Sequence, residues 1–132
     1  MRLIARIIFA VNCIYQLVVG AIFLVAPVFS IHLYGFPPSD GQSMAAHVGV
    51  RMMGVFLLLV AVISAMIAIN PDKNPVLLPL MGLTALLTIV CWVLTLATHE
   101  MILSQVTLDL AVQVLILAAV VGYARKAGKL AS

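Results

Sequence analysis

Charge is what this chain has least of. Only 8% of its 132 residues are charged, four Asp and Glu against seven Lys and Arg. A soluble domain carries about 25%. In its place stand hydrophobic residues, 65% of the chain, with a mean hydropathy of +1.28. A chain this short cannot hide so much apolar surface from water, so the surplus faces lipid.

Cysteine is scarce too. Cys13 and Cys91 both fall inside hydrophobic runs and form neither a CxxC nor a metal-ligand spacing. They read as small apolar residues. Catalytic signatures are missing as well: there is no GxSxG, HExxH or Walker sequence, and Ser30, Ser39, Ser43, Ser64 and Ser104 have no motif around them. The expectation is a non-enzymatic protein, with no cofactor assigned. A net charge of +3 would suggest nucleic acid in a soluble protein. Here the basic residues sit at the ends of apolar runs without interleaved aromatics, so no nucleic-acid partner is expected. Met and His suit copper, and Met44, His47, Met52, Met53, His99, Met101 and His32 fall towards one side. Their spacing fits no ligand pattern, so no metal site is assigned.

What is present is a set of long apolar runs. Residues 3–26, 44–69, 76–98 and 102–123 read as spans, joined by a longer interfacial loop over 27–43. From Met52 to Ile69 there are 18 residues without charge, against the roughly 20 a hydrocarbon core of about 30 Å requires. The first run is read as a retained span, because Asn12 and Gln16 interrupt it and no A-x-A cleavage site follows. The fold class is all-α, an integral membrane antiparallel four-helix bundle forming a single domain over 1–132. The segment 27–43 is amphipathic and aromatic in its first half, so it is expected either in the headgroup zone or folded over the bundle as a lid. The tail from Arg125 to Lys129 is expected to be mobile.

Topology follows from the basic residues. Arg2, Arg6, Lys73, Arg125, Lys126 and Lys129 all fall at the two ends or in the second connection, and the first and third connections contain none. This places the chain in the cytoplasmic (inner) membrane with both termini in the cytoplasm. Arg51 is the exception, a lone basic residue on the outer side.

Polar residues in a bilayer are costly, so their phase marks the face that turns inward. Asn12 and Gln16 are four apart, as are Gln105, Asp109 and Gln113; Thr84, Thr88, Cys91, Thr95 and Thr98 step by four and three. The threonines are also satisfied by bonding their own i−4 carbonyls. His47, Arg51, Gly54, Leu58, Ala61, Ala65 and Ala68 form a face that is polar outside and small further in, and small faces let membrane helices approach. Arg51 and Asp109 lie at matched depth, about 10 Å along their helices, so an Arg51–Asp109 pair is expected. The candidate ligand-binding set is Arg51, Asp109, His47, Gln105, Gln113, Asn12 and Gln16, around an outward-opening polar chamber. The competing reading is a structural salt bridge that fixes helix register.

The pieces Ala26-Pro27, Tyr34-Gly35-Phe36-Pro37 and Gly49-Val50-Arg51-Met52-Met53-Gly54-Val55 resemble the small four-helix DoxX-like membrane proteins of bacteria. In that family a proline ends the first helix, a glycine-containing loop follows, and an arginine near a glycine opens the second helix. The family arginine matches Arg51. The resemblance covers about residues 10–124 in layout. It implies a small subunit of a quinone-coupled oxidation complex, or, more distantly, a sterol- or lipid-handling protein. It carries over no catalytic residue. Together these readings predict a protein that binds a lipid- or quinone-like ligand, or that serves as an accessory subunit of a larger membrane complex. The alternative is a small transporter or channel, built as a homo-oligomer and using Asp109 and Arg51.

Overall fold

The computed structural model describes residues 2–33, 44–73, 75–97 and 103–131. Five helices account for nearly all of them: α1 (Arg2–Val25), α2 (Pro27–Leu33), α3 (Met44–Ile69), α4 (Leu77–Ala97) and α5 (Leu103–Ala131). No strand occurs among the described residues. The four long helices are each long and apolar enough to cross a membrane. The protein is therefore an all-α bundle for a membrane environment.

Helix boundaries have local causes. Pro27 has no N–H to donate, so α1 ends at Val25, and its fixed φ opens α2 instead. The first part of the expected loop is thus a short helix. It buries Pro27, Ser30 and Ile31 and leaves Phe29 and Leu33 outside, packed against α1 and α3. Residues 34–43, with the turn chemistry of the loop, lie outside the described residues. The α3–α4 turn is built by Asn70, whose side-chain oxygen accepts from the Asp72 backbone N–H at 3.2 Å. Pro79 stands in the first turn of α4, where a missing N–H costs least. At the C-terminal end α5 continues as one helix beyond the expected span, through the basic tail to Ala131.

The four long helices form a ring in the order α1, α3, α4, α5. Among the described residues the backbones of the diagonal pairs, α1 with α4 and α3 with α5, make no close approach. The closest pair is α1 with α3, and α3 with α4 pack least. The α1–α3 seam is close because glycine meets glycine. A Cβ on Gly54 would lie 2.8 Å from the Gly20 carbonyl oxygen and 2.9 Å from the Leu24 nitrogen. A side chain at either glycine would push backbone against backbone.

Near the α3–α4 turn the interior is solid. Phe9, Val60, Ile67, Leu78, Met81, Ala85, Ile116 and Val120 form one buried cluster contributed by all four long helices. Two polar ties close the same end. Arg6 Nε donates to the Ala68 carbonyl at 2.8 Å, one of the last-turn carbonyls of α3 that has no helical partner. The Tyr123 hydroxyl donates to the Asp72 carboxylate, fixing α5 to the turn.

Candidate functional site

Away from the closed end the helices part and enclose a cavity of about 330 Å³. Its main walls are two facing helix surfaces. Val50, Met53, Phe56, Leu57 and Val60 come from α3, and Met81, Thr84, Thr88, Trp92 and Thr95 from α4. Met53 and Phe56 line it yet are half exposed, so the cavity opens sideways between α3 and α4, toward the side that faces lipid. Ser30 and Ile31 of α2 also border it.

The inner wall is polar. Gln16 and Asp109 line the cavity from α1 and α5, with Gln113 one turn further along α5. Gln16 is 2% exposed and Gln113 8%. A hydrogen-bonded chain runs inward from Gln16. Its Nε2 donates to Asn12 Oδ1 at 3.3 Å, and Asn12 Nδ2 donates to Ser64 Oγ at 2.7 Å. Asn12 and Ser64 are almost wholly buried, so this chain crosses the α1–α3 seam out of reach of water. Its outer end is unfinished: Gln16 Oε1 is buried without a hydrogen-bond partner among the described residues. Leaving such an acceptor unmatched costs about 1–3 kcal/mol. The Gln113 amide, which also faces the cavity, is held by no side-chain hydrogen bond within the described residues.

The expected polar residues divide into three groups. Gln16, Asp109 and Gln113 are brought together at the cavity. Asn12 stands one step behind, orienting Gln16. His47 and Arg51 are not on the cavity wall, and Arg51 is exposed. The Gln105 backbone belongs to α5, but its side chain lies outside the described residues, as do His99 and Glu100.

No ion pair joins Arg51 to Asp109 among the described residues. Their helices are diagonal partners whose backbones make no close approach among the described residues. From α1, the Tyr15 hydroxyl donates to the Asp109 carboxylate. Matched depth is necessary for a pair, but adjacency decides it.

Compared with protein-family models, with curated proteins and with solved structures, the chain matches none.

The threonine stripe has both properties foreseen for it. Thr84, Thr88 and Thr95 each donate to the carbonyl four residues back, at 3.0, 2.9 and 2.9 Å, and all three also line the cavity. Thr98 is outside the described residues, and Cys91 is exposed. No cluster of metal-binding side chains occurs among the described residues.

Three site residues went unforeseen. Ser64 lies three residues beyond Ala61 on the small face of α3, and Tyr15 three beyond Asn12, so periodicity could have found both. Trp92 lies one residue beyond Cys91 in the stripe of α4. An aromatic residue in a span is ordinary, and nothing in the sequence alone separates Trp92 from others of its kind.

Proposed function

We propose that this protein is a membrane-embedded binding protein for a small amphipathic molecule that enters from the lipid. One observation carries the reading. A largely apolar cavity of about 330 Å³ is bordered by a deeply buried amide oxygen, Gln16 Oε1, that lacks a partner. Ligand sites are concave, mostly apolar and supplied with a few convergent polar groups, and they start at roughly 300 Å³. The sideways opening suits a ligand already dissolved in the bilayer. Its apolar body would lie against Phe56, Leu57 and Trp92, and its polar end would reach Gln16, Gln113 and Asp109. Arg51 and His47, off the cavity wall, would meet headgroups or a partner subunit at the outer side.

The reading is non-enzymatic and agrees with the DoxX-like resemblance, whose implied ligands are quinone- or sterol-like. The distribution of basic residues supports the inner membrane, with both termini in the cytoplasm. An accessory role in a larger complex is compatible with it, since a carrier of a lipid-soluble molecule needs a protein to deliver to. Transport through a single bundle is disfavoured, because Phe9, Met81 and Ile116 fill the axis at the closed end.

The test is extraction. Protein purified from membranes in mild detergent is denatured, and the released small molecules are identified by mass spectrometry, beside Thr88→Phe, which fills the cavity. The expected result is one lipophilic species at near-stoichiometric amount in the wild type and depleted in the variant. Identical extracts from both proteins would overturn the reading.

A further inference from the structure

We infer that the polar end of the bound molecule is an uncharged hydroxyl group, an inference that rests on the binding reading above. Donors and acceptors on the cavity lining are unequal. Ser30 Oγ donates to the Ala26 carbonyl at 3.1 Å, and Thr84, Thr88 and Thr95 donate to their own helix backbone. A hydroxyl has one proton. These four side chains line the cavity with that proton already committed, so none of them donates into it. Tyr15 directs its proton to the Asp109 carboxylate, which in its ionised form is acceptor-only. Gln16 turns its Nε2 to Asn12 and keeps Oε1 unmatched. Against these acceptors stand the Gln113 amide, which offers donors as well as an acceptor, and the Trp92 indole N–H, which is a donor only.

The occupant that answers both kinds of group brings a proton to Gln16 Oε1 and accepts one from the Trp92 indole or the Gln113 amide. A hydroxyl does both. A ketone, ether or quinone carbonyl accepts only and leaves Gln16 Oε1 unmatched. An ammonium donates but cannot accept, so it cannot answer the Trp92 indole N–H. A carboxylate or phosphate has no proton to give Gln16 Oε1 and stands against the Asp109 carboxylate. The class that fits is an alcohol or phenol on an apolar body.

The chain contains a single tryptophan, and Trp92 lines the cavity, so its fluorescence reports occupancy. The full-length protein in lipid nanodiscs is titrated with 11-bromoundecanol and with its methyl ether, whose bromine quenches tryptophan. The two probes share a body and differ in one donated hydrogen bond. The expected result is saturable quenching by both, with the alcohol about tenfold tighter, the equivalent of one net hydrogen bond of about 1.4 kcal/mol. Gln16→Met should abolish the difference and retain binding of the ether. If that variant does not yield monodisperse protein, Gln113→Leu should weaken both probes alike and leave the difference between them, since both accept from Gln113 and only the alcohol donates. Equal wild-type affinities for alcohol and ether, or tighter binding of 11-bromoundecylamine, would overturn the hydroxyl assignment and leave the cavity reading standing. Absence of saturable quenching by any probe, or unchanged quenching in Thr88→Phe, would overturn the cavity reading itself. Displacement of the bromoalcohol by a monoacylglycerol assigns the hydroxyl to a glycerolipid, and displacement by an isoprenoid hydroquinone assigns it to a ring phenol.

Discussion

Helix α3 has two neighbours in the ring and meets them in opposite ways. Toward α1 it presents Gly54, Ala61 and Ser64, all buried. Glycine meets glycine, and a buried polar chain crosses the seam. Toward α4 it presents Val50, Met53, Phe56 and Leu57, and the helices stand apart around a cavity. Both faces belong to one continuous helix in the same lipid. The difference is side-chain size. In a bilayer the apolar medium does not drive helices together, so close approach depends on small residues and interhelical hydrogen bonds. Where α3 supplies these it closes, and where it supplies bulk without a complementary surface on α4 it leaves space. One seam holds the fold and the other is free to hold a ligand.

The largest effect is expected where the closed seam is tightest. Gly54→Leu places a side chain where even a Cβ would lie within 3 Å of the α1 backbone. It should destabilise the bundle by about 3 kcal/mol or more, at or beyond the usual range for overpacking. Unfolding in mixed micelles, followed by circular dichroism, measures this. Phe56→Leu, two residues away but on the open face, should cost less than about 1 kcal/mol. If the two substitutions cost the same, the contrast between the faces is wrong.

Next in size is the polar chain. Asn12→Leu removes the bond to Ser64 and leaves Gln16 Nε2 without its acceptor. A loss of about 1–2 kcal/mol is expected. A double-mutant cycle with Ser64→Ala should return a coupling of about 0.6 kcal/mol, and no more than about 1.7 kcal/mol. Zero coupling would mean that the seam is held by glycine packing alone.

The open face is sharpened by filling it. Thr88→Phe should change stability by less than about 1 kcal/mol, because the cavity has room for the ring and no packed layer is displaced. Trp92 quenching by cavity probes should vanish in the same protein. A stability loss as large as that of Gly54→Leu would show that the α3–α4 space is already closed.

This contrast was partly legible in the sequence, for a physical reason. A bilayer penalises polar groups facing lipid, so the phases of Asn12, Gln16 and Gln113 and of the small residues on α3 mark inner faces directly. The four spans follow from length and hydropathy alone. Neighbour relations are another matter. Periodicity gives the direction a residue faces, and depth gives its height, but neither says which helix stands beside which. Arg51 and Asp109 agree in both and still belong to diagonal helices. The cavity was invisible for a related reason: a void arises from a mismatch between two surfaces, and each surface alone looks like an ordinary apolar helix.

The smallest expected effect lies farthest from the open seam, and it tests whether the two ends of the bundle are independent. Tyr123 donates to Asp72 at the α3–α4 turn, where the carboxylate is exposed. Water competes for that carboxylate, so Tyr123→Phe should cost about 0.5–1 kcal/mol. The packed cluster of Phe9, Met81 and Ile116 lies between this tie and the cavity. Such a layer is close-packed and transmits strain only if it can shift as a whole. With the cluster intact, the affinity for the bromoalcohol should stay within about twofold, a difference of about 0.4 kcal/mol. A larger change would mean that the turn sets the spacing of α3 and α4 at the cavity. The closed end would then act as a hinge for the open one, and the two faces of α3 could no longer be treated as separate.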